Sequence, residues 1–352
     1  MEFKLIDPDA DPRWDLFVKN HPQGTFYHHS AWKKVIHQTF PHVHPIYAVI
    51  EHDGRIFGLA PFFFIKSLLT GKRLIALPFT IYADPLVQSD EWVHLLIEHL
   101  HEIQKDRKAS FIQVRTRSAS ELFRKKGFEV FSGFKNHILN LENDLETIWK
   151  SFDRTCVRQR IHRAEKSGVL VSEASNEADV KTFYQLHSLT RKGFGIPPQP
   201  YAFFRNMWEI LHPEGMFDLF IARVGDQPVS SLLCFKYKTT VHAEYMGTDH
   251  RFNEYSGNIL LFWHAIQKAK ADGYRTFEFG ASPNSETGLI RFKERWGTQE
   301  EELQYCYFPK VVGFSSGFAN SRGYRFLSWI CKRLPAPLFE LAGKFLYRHL
   351  GG

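Results

Sequence analysis

The sequence contains few cysteines, and none of them stands at a spacing that binds zinc or builds a disulfide framework. Four cysteines occur among 352 residues, at Cys156, Cys234, Cys306 and Cys331, without a CxxC pair. Zinc ribbons and small disulfide-stabilised extracellular domains depend on paired cysteines at short spacings. The sequence therefore predicts a protein of a reducing compartment, and we expect it in the cytoplasm.

Long apolar runs are also missing. The longest, from Ile56 to Ile65, includes Pro61 and is much shorter than the roughly 20 residues that a membrane-spanning helix needs. The first residues, MEFKLIDPDADPRWD, are acidic and polar, whereas a signal peptide begins with a basic and then an apolar stretch. We therefore expect neither an export signal nor a transmembrane segment.

Several motifs of well-known enzyme classes are absent. No G-x-S-x-G, GxxxxGK[ST] or GxGxxG pattern occurs, which argues against an α/β-hydrolase, a P-loop NTPase and a dinucleotide-binding dehydrogenase. Histidine is abundant, with 18 residues, but no HExxH or comparable group of three ligands is present. The sequence therefore predicts no metal site.

The positive charge is concentrated at the end of the chain. Of a net charge of +7, residues 309–352 carry +6, because they contain seven Lys and Arg residues and a single Glu. DNA binding needs a basic surface on the folded body, and the nearly neutral remainder does not predict one. The segment interleaves its cations with apolar residues such as Trp329 and Phe345. It is predicted either to lie at an anionic membrane surface or to pack on the preceding domain.

One order of elements occurs twice along the chain. Two apolar runs flank Asp53-Gly54, which predicts a hairpin, and a strand, a long helix, a strand and a short helix follow. The same order recurs around Gly225-Asp226 and ends in a strand, EEELQYCYF. Corresponding landmarks lie 172, 166, 169 and 170 residues apart: Asp53 and Gly225, Phe111 and Phe277, Phe123 and Phe292, Gly127 and Gly297. This pattern predicts a duplicated α/β domain, each copy a mixed sheet with helices on both faces.

Four strings carry a resemblance to a known family. They are RxRIHRAEKSGV at Arg158 to Val169, YMGTD at Tyr245 to Asp249, FEFGAS at Phe277 to Ser282, and FKERWG at Phe292 to Gly297. Together with the duplication, they resemble the FemAB-like tandem-GNAT proteins, whose second domain is often called a BioF2-like acetyltransferase domain. The opening TFYHHSAWKKVI and the tail RFLSWICKRLPAPLFELAGKFLYRHLG are similar to the subgroup that accompanies exosortase/PEP-CTERM and exopolysaccharide loci.

The resemblance implies a domain organisation. Residues 1–140 are expected to form an N-terminal GNAT-like domain, and residues 141–309 a C-terminal GNAT-like, BioF2-like domain. Residues 310–352 are expected to form the basic amphipathic tail. The substrate is expected in a cleft between the two domains.

The resemblance also implies catalytic residues. Phe292-Lys293 is similar to a Phe-Lys pair of the Fem transferases, in which the lysine offsets charge in the acyl-transfer transition state. The alternative for Lys293 is a solvated helix lysine among charged neighbours. Glu244 is a candidate general base and Tyr245 a candidate proton donor, both on the strand VHAEYMGTD.

Two further sets of residues are candidates for binding phosphate, and Phe292 is a candidate for binding the substrate beside them. A helix predicted from Leu145 to Lys166 carries a row of arginines, from which Arg158 and Arg163 match the family string and suit a diphosphate-bearing acceptor. Gly257 and Asn258 resemble a weak form of the turn that binds the pyrophosphate of acetyl-CoA at a helix N-terminus. Their alternative role is to cap that helix.

The implied function is transfer of an acetyl or aminoacyl group to an amino group of a cell-envelope precursor. The acceptor would be a nucleotide- or lipid-linked sugar or peptide of peptidoglycan or exopolysaccharide synthesis. The donor is acetyl-CoA, another acyl-CoA or an aminoacyl-tRNA, and the lack of heptads for a coiled-coil arm favours the thioester. The alternative outside enzymology is a GNAT-fold scaffold without activity.

Overall fold

The computed structural model describes residues 1–67, 70–309 and 322–350. Its strands are β1 (Glu2–Leu5), β2 (Val43–His52), β3 (Arg55–Ser67), β4 (Gly71–Ala76), β5 (Leu86–Val87), β6 (Phe111–Thr116), β7 (Glu129–Asn140), β8 (Val169–Glu173), β9 (Phe217–Val224), β10 (Gln227–Tyr237), β11 (Thr240–Thr248), β12 (Thr276–Pro283) and β13 (Gln299–Phe308). Its α-helices are α1 (Arg13–Asn20), α2 (Ser30–Thr39), α3 (Asp90–Arg107), α4 (Ser120–Lys125), α5 (Leu145–Ser151), α6 (Gln159–Lys166), α7 (Glu177–Phe194), α8 (Tyr201–Leu211), α9 (Gly257–Ala271), α10 (Thr287–Glu294), α11 (Arg322–Arg333) and α12 (Ala336–Leu350).

The chain forms two compact units. Unit 1 comprises the described residues of 1–134, 302–321 and 345–352, and unit 2 comprises residues 135–301 and 322–344. Each unit therefore draws on more than one stretch of the chain. The division into domains at residues 1–140, 141–309 and 310–352 remains a prediction. Residues 310–321 lie outside the described residues.

Unit 1 is built on a mixed sheet with the strand order β1-β2-β3-β4-β6-β13. Neighbours are antiparallel except β4 and β6, which pair in parallel from Arg73 and Phe111. The strand EEELQYCYF, which the sequence placed at the end of the second copy, pairs with β6 instead, for example Gln304 with Thr116. Strand pairing in a sheet depends on tertiary contacts, which the order of elements along the chain does not specify.

Unit 2 repeats this plan with the strand order β7-β12-β11-β10-β9-β8. Here β11 and β12 form the parallel pair, while β8 to β11 are antiparallel. The short helices α4 and α10 are followed within three residues by Gly127 and Gly297, which both adopt positive φ, of 85° and 68°. A residue with a side chain is disfavoured in that conformation, so glycine recurs at the same place in both copies. The predicted duplication of elements is confirmed.

Both predicted hairpins are present. Asp53 and Gly54 join β2 to β3 with positive φ at both positions, 47° and 74°, as a two-residue hairpin turn requires. Gly225, with φ 56°, begins the corresponding turn between β9 and β10. These turns fix the register of each hairpin, so that its apolar residues fall on the buried faces.

The prediction of one long helix from Leu145 to Lys166 is wrong in one respect, because the helix is interrupted between α5 and α6. It ends at Ser151, and Phe152 is extended with φ −74° and ψ 142°. The amide of Asp153 donates to the carbonyl of Arg295, and its carboxylate accepts from two amides of a π-helical turn, Arg154–Arg158. Capping by an aspartate competes with helix continuation, and it starts a new helical segment instead.

Helix α9 is the centre of the core of unit 2. It lies against β9, β10 and β11 on one side and α6 on the other, and most of its residues are buried. The predicted apolar stripe of α5 and α6 packs into the same cluster, in which Trp296 and Ile161 are fully buried. A core built this way holds α6 and the N-terminal end of α9 together.

The C-terminal helices α11 and α12 confirm that the tail is helical. Ser328 Oγ donates to the carbonyl of Phe194 at 3.1 Å, so α11 contacts the end of α7 within unit 2. In unit 1, the ring of Tyr347 lies 6.0 Å from that of Phe79, and Arg73 donates to the carbonyl of His349. Within the described residues, the helices are too short or too polar for any of them to cross a bilayer.

Candidate active site

The centre of unit 2 is a place where two parallel strands separate. Strands β11 and β12 pair only as far as His242 and Glu278, although both continue for several residues beyond this point. The carbonyl groups of Gly280 and Ala281 on β12 therefore lie past the end of the ladder. They accept hydrogen bonds from the Lys293 ammonium, at 2.7 Å and 3.2 Å.

Lys293 is buried, with 5% of its surface exposed. It occupies the inner face of α10, and its stem passes toward the sheet rather than toward solvent. Burial lowers its pKa to about 7, and Glu244 opposes this shift through its negative charge. The alternative of a solvated helix lysine is therefore wrong. A lysine with a pKa near neutrality, inside the protein, is typical of a functional group.

Glu244 occupies a β-bulge of β11. The pairing of β10 with β11 passes from Leu233–Tyr245 to Cys234–Ala243, so Glu244 is the extra residue. A bulge of this kind redirects a side chain and commonly lies next to an active site. The structure thus brings the candidate base into electrostatic contact with Lys293.

Tyr245 and Phe292 lie in two aromatic clusters. Tyr245 packs on α7 and α8, with its ring 5.2 Å from Phe204 and 5.8 Å from His187. Phe292 contacts Phe262 at 5.8 Å, on the core side of α10. Phe292 positions α10 through this contact, and the ring of Tyr245 packs between β11 and α7, with part of the residue still accessible.

One arginine lies beside the N-terminal end of α9. Arg160 Nε donates to Ser256 Oγ at 3.2 Å, immediately before Gly257, the first residue of the helix. A Cβ at Gly257 would lie 3.0 Å from a methyl group of Val229, so a larger residue here would require Val229 on β10 to shift. Helix N-termini attract anions through their unpaired amides and the helix dipole.

The two arginines that were predicted to bind phosphate differ in their burial. Arg158 is half-buried in the π-helical turn, and its Nε has no hydrogen-bond partner in the part of the chain that the structure describes. Arg163 is exposed and lines a shallow cavity of about 430 Å³ with His162 and Lys166. Asn258 is the second residue of α9, next to the site of Arg160. The contact of Arg160 with Ser256 was not predicted, because it depends on how α6 packs on α9.

Comparison with known proteins indicates the family. The acetyltransferase (GNAT) domain family matches residues 151–294. A lipid II:glycine glycyltransferase of Staphylococcus saprophyticus is 26% identical over 249 residues, which cover 62% of this chain and 56% of that protein. The chain thus spans about half the length of the curated relatives it matches.

Solved structures show the same fold. The crystal structure of FemX superposes with a TM-score of 0.71 at 18% identity, covering 87% of this chain and 97% of that one. A tandem GNAT protein from the clavulanic acid biosynthesis pathway gives a TM-score of 0.58 at 10% identity, with coverages of 87% and 97%. Residues 151–294 match a GNAT domain, and the chain is similar to FemAB-like proteins. The predicted family and the fold class of two tandem GNAT-like folds with a helical tail are confirmed.

The site has additional buried polar groups beside Lys293 that the sequence did not reveal. His137 on β7 is fully buried, and neither ring nitrogen has a hydrogen-bond partner within the described residues. Burial, and after it the nearby Lys293 cation, lower its pKa to about 4. Asn136 donates to Glu278 at 3.1 Å, and Glu278 lies 3.0 Å from His242. The strand sequence FKNHILN gave no signal of these contacts, because β7 meets β12 only in the folded sheet.

Metal ligands are not brought together in the described part of the chain. Across residues 1–67, 70–309 and 322–350, no three His, Cys, Asp or Glu side chains are grouped so that they would hold a metal ion. All four cysteines are free thiols.

The burial of Lys293 makes stability depend on pH. In the unfolded chain a lysine keeps its proton up to about pH 10.5, whereas folded Lys293 releases it above about pH 7. The unfolded state binds more protons between these values, so the free energy of unfolding rises with pH there, by about 1.4 kcal/mol per unit at most. We expect wild type to gain stability relative to Lys293→Met from pH 7 to pH 9 in urea denaturation. Parallel curves for the two proteins would contradict the shifted pKa.

Proposed function

We propose that the protein transfers an acetyl or aminoacyl group to an amino group of a cell-envelope precursor, such as a nucleotide- or lipid-linked sugar or peptide. The observation that carries the proposal is the buried ammonium of Lys293, held by Gly280 and Ala281 where β11 and β12 separate. The relatives support the acceptor class, because their names describe transfer of glycine to lipid II. Peptidoglycan or exopolysaccharide synthesis is the corresponding process.

The chemistry needs two groups near the reacting carbonyl. The amine nitrogen of the acceptor attacks the carbonyl carbon, a C–N bond forms, and the bond from that carbon to the leaving sulfur or oxygen breaks. A cation at Lys293 offsets the charge that develops on the carbonyl oxygen. Glu244, in electrostatic contact with Lys293, accepts the proton that the attacking nitrogen loses. Both residues are proposed catalytic groups, with Tyr245 as a proton donor to the leaving group.

The residues at the start of α9 suit an anionic donor such as acetyl-CoA. Gly257 and Asn258 begin the helix, and Arg160 adds a cation beside Ser256. The buried Nε of Arg158, without a partner in the described residues, adds a second donor group near this end of α6. An acyl-CoA would supply the activated thioester carbonyl. We propose that these residues bind its phosphates, while Arg163 binds the phosphate of the acceptor.

An aminoacyl-tRNA is the second candidate donor. It is favoured by the relatives, which are named glycyltransferases and so transfer an amino acid. Its phosphates carry the same charge as those of CoA, so the same basic residues suit both ligands. The remaining alternative is a scaffold without activity. In such a protein the burial of Lys293 would cost stability without serving catalysis.

Calorimetry distinguishes these donors. Arg160→Gln is expected to weaken acetyl-CoA binding about tenfold or more, since a charge-assisted hydrogen bond contributes about 1.5–3 kcal/mol. Arg154→Gln is the control, because Arg154 is an exposed arginine of the adjacent π-helical turn. Equal affinities of the Arg160 variant and wild type would remove Arg160 from the donor site. Binding of charged tRNA, with none of acetyl-CoA, would select the second donor.

We place the protein in the cytoplasm, at the inner face of the membrane, with residues 310–352 as the contact and no DNA partner. Its four cysteines, all free, are compatible with a reducing compartment. Membership in the exosortase/PEP-CTERM subgroup and a substrate cleft between the two domains stay predictions.

A further inference from the structure

Helix α12 has two apolar stripes on opposite sides. At about 100° per residue, Phe339, Gly343 and Tyr347 fall within one arc, and all three are buried. A Cβ at Gly343 would meet the carbonyl oxygen of Pro198, so this side lies directly on the protein. The helix is thereby fixed in rotation about its axis.

The opposite side of α12 exposes large apolar side chains. Leu338, Leu341 and Phe345 lie within an arc of about 60°, on the side away from the buried stripe. Leu341 is 60% exposed and Phe345 58% exposed. A helix packed on its own protein needs only one apolar face, so this second stripe has no role in the fold that the described residues show.

Helix α11 also exposes apolar side chains. Ser328 contacts Phe194, and the residues on either side of it, Leu327 and Trp329, are exposed. Phe194 is itself 62% exposed. We name the exposed side chains of Phe194, Leu327, Trp329, Leu338, Leu341 and Phe345 the apolar tail surface.

Cations accompany this surface. Lys344 and Arg348 flank the exposed stripe of α12, and Lys332 and Arg333 end α11; all four are exposed. The guanidinium of Arg333 lies 4.0 Å from the ring centroid of Trp329. The only acidic residue among 322–350 is Glu340. An apolar stripe beside cations is complementary to a bilayer with anionic headgroups. The lipid acyl chains contact the apolar side chains, and the lipid phosphates contact Lys and Arg.

We propose that the apolar tail surface binds the interface of a bilayer that contains anionic lipid. Leu338, Leu341 and Phe345 enter the boundary between headgroups and acyl chains, and Lys344 and Arg348 contact lipid phosphates. Trp329 lies at headgroup depth, as tryptophan does at membrane interfaces. The inference deepens the proposed location at the membrane and does not depend on the transfer reaction.

Vesicle sedimentation tests the proposal with the full chain. We expect wild type to bind vesicles of phosphatidylcholine with about a third phosphatidylglycerol at least ten times more strongly than vesicles of phosphatidylcholine alone. The variant Leu338→Ser/Leu341→Ser/Phe345→Ser is expected to lose at least tenfold in binding to the anionic vesicles. Lys344→Gln/Arg348→Gln should lose most of the preference for anionic lipid.

Two controls test whether lipid binding belongs to the apolar tail surface. Leu16→Ser/Leu170→Ser changes exposed leucines elsewhere and should bind as wild type does. Thermal unfolding verifies that each variant is folded. Calorimetry of donor binding tests the proposed transfer reaction separately, so its result does not depend on whether the protein binds vesicles. Unchanged binding of the folded triple serine variant, or no binding of wild type, would overturn the proposal. A wild-type dimer that dissociates in the triple variant, without vesicle binding, would assign the surface to a second copy instead.

Discussion

Lys293→Met is expected to lower the rate of N-acyl transfer at least 100-fold and to leave the protein folded. Methionine keeps most of the stem but removes the cation that faces the carbonyls of Gly280 and Ala281. Removal of one preorganised donor from an oxyanion site costs about 10²–10³ in rate. The two carbonyls lose a donor, but a buried charge is removed as well, so the two effects on stability oppose each other.

A second lysine of the same chain provides the control. Lys270 also donates to two carbonyls, those of Leu141 and Glu142, at the other end of α9. Single-turnover transfer should be retained by Lys270→Met and lost by Lys293→Met, with the donor that calorimetry selects. A folded Lys293→Met enzyme with more than a tenth of wild-type activity would remove Lys293 from the mechanism.

The pH profile distinguishes the two protonation states of Lys293. Burial lowers its pKa to about 7, so the cation is lost as pH rises through this value. If the cation stabilises the transition state, the rate of wild type relative to Lys293→Arg should fall above pH 7, because arginine stays charged. A ratio that rises instead would make the neutral amine the active form.

Gly247→Ala is expected to destabilise unit 2 by about 3 kcal/mol, within the upper range for overpacked cores. A Cβ at Gly247 would lie 2.5 Å from the amide nitrogen of His187 and 2.7 Å from the carbonyl carbon of Leu186. Both are backbone atoms of α7, so the helix itself would have to move away from β11. Because β11 also carries Glu244, we expect transfer to fall as well.

Gly288→Ala is the matched substitution. Gly288 lies in α10, and a Cβ there would meet no atom within 4 Å. In a helix, alanine in place of glycine is expected to be neutral or to stabilise by about 0.5–1 kcal/mol. Urea denaturation measures both variants, and a Gly247→Ala protein within about 0.5 kcal/mol of wild type would contradict direct contact between α7 and β11.

The local elements follow from the sequence to a large extent. The hairpins at Asp53-Gly54 and Gly225-Asp226 form where turn residues interrupt apolar runs, and α9 forms where the apolar residues have helical spacing. The helix predicted from Leu145 is interrupted at Asp153, since its side chain caps two amides and its own amide reaches Arg295. That amide contact joins residues more than a hundred positions apart, which a local pattern does not contain.

The sequence by itself determined the duplicated order of strands and helices, the resemblance to the FemAB-like proteins and the choice of Lys293. These depend on periodicity, turn residues and short strings, which are local properties of the chain. Only the tertiary structure decided that Lys293 is buried, that Glu244 occupies a bulge near it, and that β13 pairs with β6. Burial, pKa shifts and strand pairing arise from contacts between distant residues, and these exist only when the packing of the whole fold has brought the residues together.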